Sequence, residues 1–311
     1  MPPKIIIPLG ASKHKNRTTL TLTATTTGAQ TLTFDGMTVA TGKTVLVDWG
    51  DGQNNTYTAG AGIRTHAYAG AGVWTVRINN TPNITELDLR DAKIGGSIGE
   101  HNRVPENLTV LFVANIPLLT WTVSSSAPMP IGIISLSLYL QSLAWTVSAS
   151  APMPAGLTSL NLYNLPSLTW TVSASAPMPA GLTSLNMEYI PSLTWLITTG
   201  YQWPVSAINM VAINCPGVTV SIWTNNAIRS IRAENAYSQA NVDAFLGAIL
   251  ANKANFTFAT PTLDLLGGSN AAPSGTYQAA DPVTSGNEAK YALVNGNGSY
   301  APGPEWTVTT A

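Results

Sequence analysis

Residues 157–181 read LTSLNLYNLPSLTWTVSASAPMPAG, and this stretch decides the fold. Leu160 and Leu162 alternate with Ser159, Asn161 and Tyr163, which puts both leucines on one face of a short strand. Leu157 and Leu165 turn inward at its corners. Leu168, Trp170 and Val172 alternate with threonines, predicting a second strand with its apolar residues inward. Ala176-Pro177-Met178-Pro179 ends that strand, because proline has no N–H to give a ladder. Met178 is expected to fill the gap beneath the turn.

The stretch recurs. Residues 133–156 read IISLSLYLQSLAWTVSASAPMPAG, residues 108–132 read LTVLFVANIPLLTWTVSSSAPMPIG, and residues 182–195 read LTSLNMEYIPSLTW. Trp121, Trp145, Trp170 and Trp195 stand 24, 25 and 25 residues apart, and Pro128, Pro152 and Pro177 keep step with them. Weaker copies extend the array: Ile84-x-x-Leu87-x-Leu89 upstream, then Val205-x-x-Ile208-x-Met210 and Ile228-x-x-Ile231-x-Ala233 downstream. One unit buries too little to stand alone, so the units must stack into a solenoid. The tryptophans alternate with Leu and Val, which predicts an internal ladder of indoles, not an exposed one gripping sugar rings. The unit L-x-x-L-x-L-x-x-x-x-P-x-L resembles leucine-rich repeats, which have periods of about 20–29 residues.

Upstream, Leu20, Leu22, Leu32 and Phe34 alternate with threonines, as strands do. Val47-Asp48-Trp49-Gly50-Asp51-Gly52, then Thr65-His66-Ala67-Tyr68 and Val73-Trp74-Thr75-Val76, resemble the turn and later strand of PKD-type β-sandwiches over residues 19–80. Trp74 stands where that family usually has Tyr. The resemblance implies an adhesion or spacer module. Asp48 and Asp51 offer too few oxygens for calcium, which takes about six to eight. Asp51-Gly52 is expected to make the hairpin turn, with Asp48 accepting backbone hydrogen bonds and His66 bracing the turn.

Downstream, Val242, Phe245, Leu246, Ile249 and Leu250 mark one face of a helix, with Asn241 as its expected cap. Residues 262–266 read as a strand, 286–294 as a second helix and 306–309 as a last strand. This run resembles the closing segment of leucine-rich-repeat proteins of bacterial surfaces and phage genomes, BspA-like in the broad sense. The expected fold is mainly β: a leucine-rich-repeat solenoid with a parallel sheet, preceded by a small PKD-like β-sandwich and closed by a short α/β segment. The expected boundaries are an arm at 1–18, the sandwich at 19–81, the solenoid at 82–236 and the cap at 237–311.

Composition narrows function. Only 9% of residues are charged, against roughly 25% in soluble domains, and the net charge is -1. Such a chain lacks the field that draws nucleic acid. Met1 to Pro8 holds three isoleucines closed by proline, short of a secretory signal's apolar run, and no stretch is long enough for a membrane helix. A surface-type composition without such a signal fits a virion protein, and fits equally a chain whose signal has been removed. Cys215 alone can form no intrachain disulfide and reads as a small buried hydrophobe. His14, His66 and His101 sit in a tail, a turn and a loop, without zinc spacing. No nucleophile elbow, P-loop or dinucleotide fingerprint is present. Glu86, Asp88, Asp91, Glu100 and Glu106 gather near the solenoid's start, where a glycosidase pair is conceivable.

The expectation is therefore a protein without catalytic residues, metal or cofactor. Its candidate binding face is the outward strand column: Phe112; Ser135, Ser137 and Tyr139; Ser159, Asn161 and Tyr163; Ser184, Asn186 and Glu188. Tyr with Ser and Asn is the composition of adaptable binding surfaces. The expected role is a phage virion surface component, such as a capsid decoration, fibre or tail protein. A bacterial cell-surface adhesin or receptor- or glycan-binding protein is the alternative. The expected partners are other protein subunits, virion proteins or copies of itself, or a host-surface glycan or protein. Nucleic acid and membrane insertion are not expected.

Overall fold

A computed structural model describes residues 18–173, 176–197, 209–220, 228–267 and 269–311, with the backbone alone at 195–197, 217 and 219–220. Residues 1–17 of the predicted arm, Val205, Ile208 and the Trp195 indole lie outside what it describes. The chain is mainly β, with a parallel-sheet β-solenoid of about five turns. Each coil lays one strand in a front sheet and one in a back sheet. The front strands begin at Ile84–Asp88, Val110–Ala114, Ser135–Tyr139, Ser159–Tyr163 and Ser184–Glu188, and continue through Asn209–Ile213 and Ser230–Glu234. Thr262–Leu265 and Thr307–Thr310 extend this sheet in parallel to its far edge. Ile94–Ile98, Leu118–Val123, Leu143–Val147, Leu168–Thr171, Leu193–Ile197 and Gly217–Val220 form the back sheet.

The alternation read from the sequence sets both faces. Leu136 and Leu138, Leu160 and Leu162, and Leu185 and Met187 are buried, and the residues between them are not. Front strands pair like with like: Ser135 opposite Ser159, then Ser159 opposite Ser184. The back sheet does not. There Trp121 lies level with Leu143, Trp145 with Leu168, and Trp170 with Leu193. The expected vertical ladder of indoles is thus replaced by a diagonal one, stepped two residues per coil. Putting a large indole beside a leucine at each level suits close packing at the strand spacing of about 4.8 Å.

The three described indoles are nonetheless buried, at 2%, 1% and 0% exposure. Trp145 Nε1 donates to the Ala151 carbonyl and Trp170 Nε1 to that of Ala176, both at 3.0 Å. Ser148 with Ala151 and Ser173 with Ala176 form tight bridges that aim those carbonyls inward. The repeated W-T-V-S-x-S-A-P therefore encodes a strand, a turn and the acceptor for its own indole. Met129, Met153 and Met178 fill the core below the turns.

Antiparallel strands cover the solenoid's first coil. Thr19–Thr27 pairs along its length with Ala71–Asn79 and, at Thr23 and Ala24, with the back strand at Gly95 and Ile94. The long strand Gly36–Asp48 pairs near its start with Ile84–Asp88 and near its end with Asn54–Gly60 and Ala71–Asn79. Gln30–Phe34 pairs with Arg64–Tyr68. Both solenoid sheets so acquire a partner at their first strand, and one continuous core runs from Leu20 to Trp306. Gly95 lets the Leu118 carbonyl approach, since a Cβ there would sit 2.7 Å from that oxygen.

Helix α1, Gln239–Ala251, and helix α2, Gly286–Asn295, close the other end. Val242, Phe245, Leu246, Ile249 and Leu250 form the buried face of α1, as its spacing predicts. Its cap differs from expectation. Ser238 is the N-cap and accepts from the Asn241 N–H, so Asn241 lies inside the first turn. The helix starts earlier than its first apolar residue because the serine hydroxyl precedes it at the spacing a cap needs. Ser285 and Glu288 form a capping box on α2. No helix among the described residues is long and apolar enough to cross a membrane.

Candidate functional site: the outer face of the front sheet

Every residue of the predicted face lies on the outer side of the front sheet. Ser184 is exposed, and Phe112, Ser135, Ser137, Tyr139, Ser159, Asn161, Tyr163, Asn186 and Glu188 are partly exposed. Parallel register aligns them in rows across the coils. Phe112 lies beside Ser137, Ser137 beside Asn161, and Asn161 beside Asn186. Asn186 Nδ2 donates to Asn161 Oδ1 at 3.1 Å, and Asn161 Nδ2 to Ser137 Oγ at 3.3 Å. Asn186 Oδ1 ends the ladder unpaired, because the next residue in the row is Val211.

A second row is aromatic. Tyr139 and Tyr163 meet edge to face with centroids 4.8 Å apart, and Tyr163 and Tyr189 do so at 5.5 Å. Packing raises the Tyr163 phenol above its ordinary pKa, and Tyr189, Tyr139 and Glu188 add to the rise. Tyr189 was absent from the predicted set. It follows the strand, at the corner occupied elsewhere by Asp91, Asn115, Asn164 and Asn214. All five hold a left-handed backbone with φ between 50 and 56°. Asn and Asp tolerate that region and a bulky side chain does not. Tyr189 is 45% exposed in this strained position. Its signal in the sequence is a tyrosine in an asparagine column.

Charge stays at the margins of this face. Upstream, Arg90 grips Asp88 at 2.6 Å and lies over the Phe112 ring at 5.1 Å. Downstream, Arg232 pairs with Glu234 and approaches Asp264 at 3.9 Å. Between these clusters, Glu188 is the charged residue of the described face.

Three of the five carboxylates considered for catalysis near the solenoid's start, Glu86, Asp88 and Asp91, have structural duties. Glu86 Oε2 accepts from Thr38 Oγ1 at 2.7 Å, Asp88 holds Arg90, and Asp91 Oδ1 accepts from Asn115 Nδ2 at 2.9 Å. In the aspartate turn, Asp48 and Asp51 accept from the Gly50 and Gln53 N–H groups, both at 3.0 Å. His66 bonds Asp51 at 2.8 Å and stacks on Trp49. Trp74 stacks on Tyr68 and donates to Thr26. Cys215 is fully buried, and burial pushes its thiol up to about 11, far from a reactive thiolate. Among the described residues, no group of three or more His, Cys, Asp or Glu could hold a metal ion.

A cleft opens beside the tyrosine row. It measures about 480 Å³ and lies between Asn115, Ile116 and Pro117 of one coil and residues 139–142 of the next. Of these, only Tyr139 was in the predicted set. The signal for the rest was the single 24-residue step, Trp121 to Trp145, in a 25-residue series. In comparisons with known proteins, no family model, curated protein or solved structure matches the chain.

Proposed function

We propose that this chain is a non-enzymatic structural and interaction protein, a phage virion surface component that meets other subunits through its front sheet. One observation carries the reading. An outward sheet face several coils long, nearly free of charge, bears a row of partly exposed tyrosines. Tyrosine offers large contact area for little lost side-chain freedom, and its hydroxyl finds partners at wet interfaces. Repeat proteins commonly bind on such extended surfaces. The PKD-like resemblance agrees with this role, since it implies an adhesion or spacer module.

The experiment is to seek the protein in purified particles and as symmetric copies in a reconstruction. The front-sheet face should be covered there, and Tyr139→Ala with Tyr163→Ala should reduce incorporation. A purified monomer that associates with no particle and no copy of itself would reject the reading.

Tyr189 favours a second reading, a surface adhesin or receptor- or glycan-binding protein. A strained, exposed aromatic side chain costs stability, of order 1–3 kcal/mol, that folding alone does not require. Under that reading the same double variant loses binding in a cell or glycan screen, and unchanged binding rejects the strand face.

A further inference from the structure

The corner that joins front strand to back strand is one residue shorter in the coil of Ser135 than in its neighbours. With the coils aligned on their tryptophans, Asn115, Asn164 and Tyr189 have no counterpart between Tyr139 and Leu140. The backbone shows the consequence. The N–H groups of Asn115, Asn164 and Tyr189 each donate to the last front-strand carbonyl of the next coil, at 3.3, 2.9 and 2.8 Å. The short corner has no residue to make that rung to Tyr163. The 480 Å³ cleft lies as a notch beside this short corner, between it and the full-length corner at Asn115, Ile116 and Pro117 of the preceding coil. That volume lies within the range of about 300–1,000 Å³ typical of small-molecule sites.

We propose that this notch binds a neutral saccharide unit, one pyranose ring of an uncharged glycan. The proposal rests on reading the chain as an interaction protein and names a ligand class for a site beside the strand face. Buried Ile116 and Leu140 give the notch an apolar base, and Pro117 and the Tyr139 ring add apolar surface for sugar C–H groups. Amides supply the polar half. Asn115 Nδ2 is held by Asp91 and the Ser142 hydroxyl by the Leu119 carbonyl, so the lining is fixed before a ligand arrives. Asn115 and Gln141 are both exposed, and their side-chain amides offer the acceptor and donor that sugar hydroxyls need. No charged side chain lines the notch, so an anionic ligand finds no counter-charge. A purely apolar ligand would leave the amides without partners.

The test uses the full chain and saturation-transfer NMR. The probes are glucose, galactose, mannose, N-acetylglucosamine and their β-linked dimers, with glucuronic and sialic acids as charged counterparts. A neutral sugar should bind with a Kd on the order of millimolar, and the acids should not. Gln141→Ala should weaken binding about tenfold, the loss of one hydrogen bond to the ligand. Inserting one asparagine between Tyr139 and Leu140 rebuilds the corner of the neighbouring coils. That variant should fold with an unchanged or higher melting temperature and lose the sugar.

Absence of neutral-sugar binding, preference for the acids, or undiminished binding by the insertion variant would each overturn the proposal. Particle association of the parent chain scores the broader reading separately. Association without sugar binding defeats the saccharide site alone, and loss of both defeats the two together.

Discussion

Replacing Trp170 by alanine tests the packing on which the solenoid depends. The indole is fully buried, lies level with Val147 in the coil before and Leu193 in the coil after, and bonds the Ala176 carbonyl at 3.0 Å. Truncation leaves a void among three coils, and large-to-small core changes of this kind cost about 3–5 kcal/mol. Roughly 1 kcal/mol of that is the indole hydrogen bond. Ala176 O retains the Ser173 N–H, so it is not stranded. Trp170→Phe keeps most of the ring and loses the N–H, and should cost about 1–2 kcal/mol. Leu118→Ser is the control. Leu118 is 66% exposed and its counterparts in later coils are Ser142, Ser167 and Ser192, so its change should be near zero. Urea unfolding followed by far-ultraviolet circular dichroism reads all three without relying on tryptophan emission. Trp170→Ala should move the midpoint far more than Trp170→Phe. A shift for Trp170→Ala no larger than that of Leu118→Ser would refute the buried-coil argument.

Three further outcomes follow from particular contacts. Val211→Thr places a hydroxyl next to the unpaired Asn186 Oδ1, extends the side-chain ladder by one rung and should stabilise by about 1 kcal/mol in the same urea assay. An unchanged midpoint would show that Asn186 is already satisfied. Tyr189→Asn puts the favoured residue into the left-handed corner and should raise stability by about 1 kcal/mol while weakening any partner that uses the tyrosine row. Gain of stability with full binding would detach Tyr189 from the face's function. Glu288 accepts hydrogen bonds from Thr284, Gln278 and Ser285, which hold its carboxyl at about 2, below the ordinary 4.5. A carboxyl lowered on folding stabilises fully above its unfolded pKa and loses that contribution as pH falls through its folded one. The melting temperature should therefore decline from about pH 4.5 toward 2, and Glu288→Gln should flatten that part of the profile. An identical slope in the variant would assign the decline to other carboxylates.

The sequence by itself determined the coil. Alternation with period two, repeated at 24–25 residues, leaves one way to bury Leu160, Leu162, Leu168 and Trp170 together, and that is a stack of two-stranded turns. It also placed the outward column of Ser, Asn and Tyr, because inward and outward positions are complementary along a strand. Tertiary structure decided whatever depends on how one coil sits on the next. The two-residue step of the back sheet, which turns a ladder of indoles into a diagonal, is a register between strands, and local alternation does not encode it. The union of the N-terminal strands with both solenoid sheets joins residues distant in sequence. The tyrosine row gained Tyr189 only when a left-handed corner brought its ring to Tyr163. The notch needed both kinds of information: one missing residue is visible in the chain, but it becomes a cavity only where the full-length corner of the preceding coil stands beside the short one.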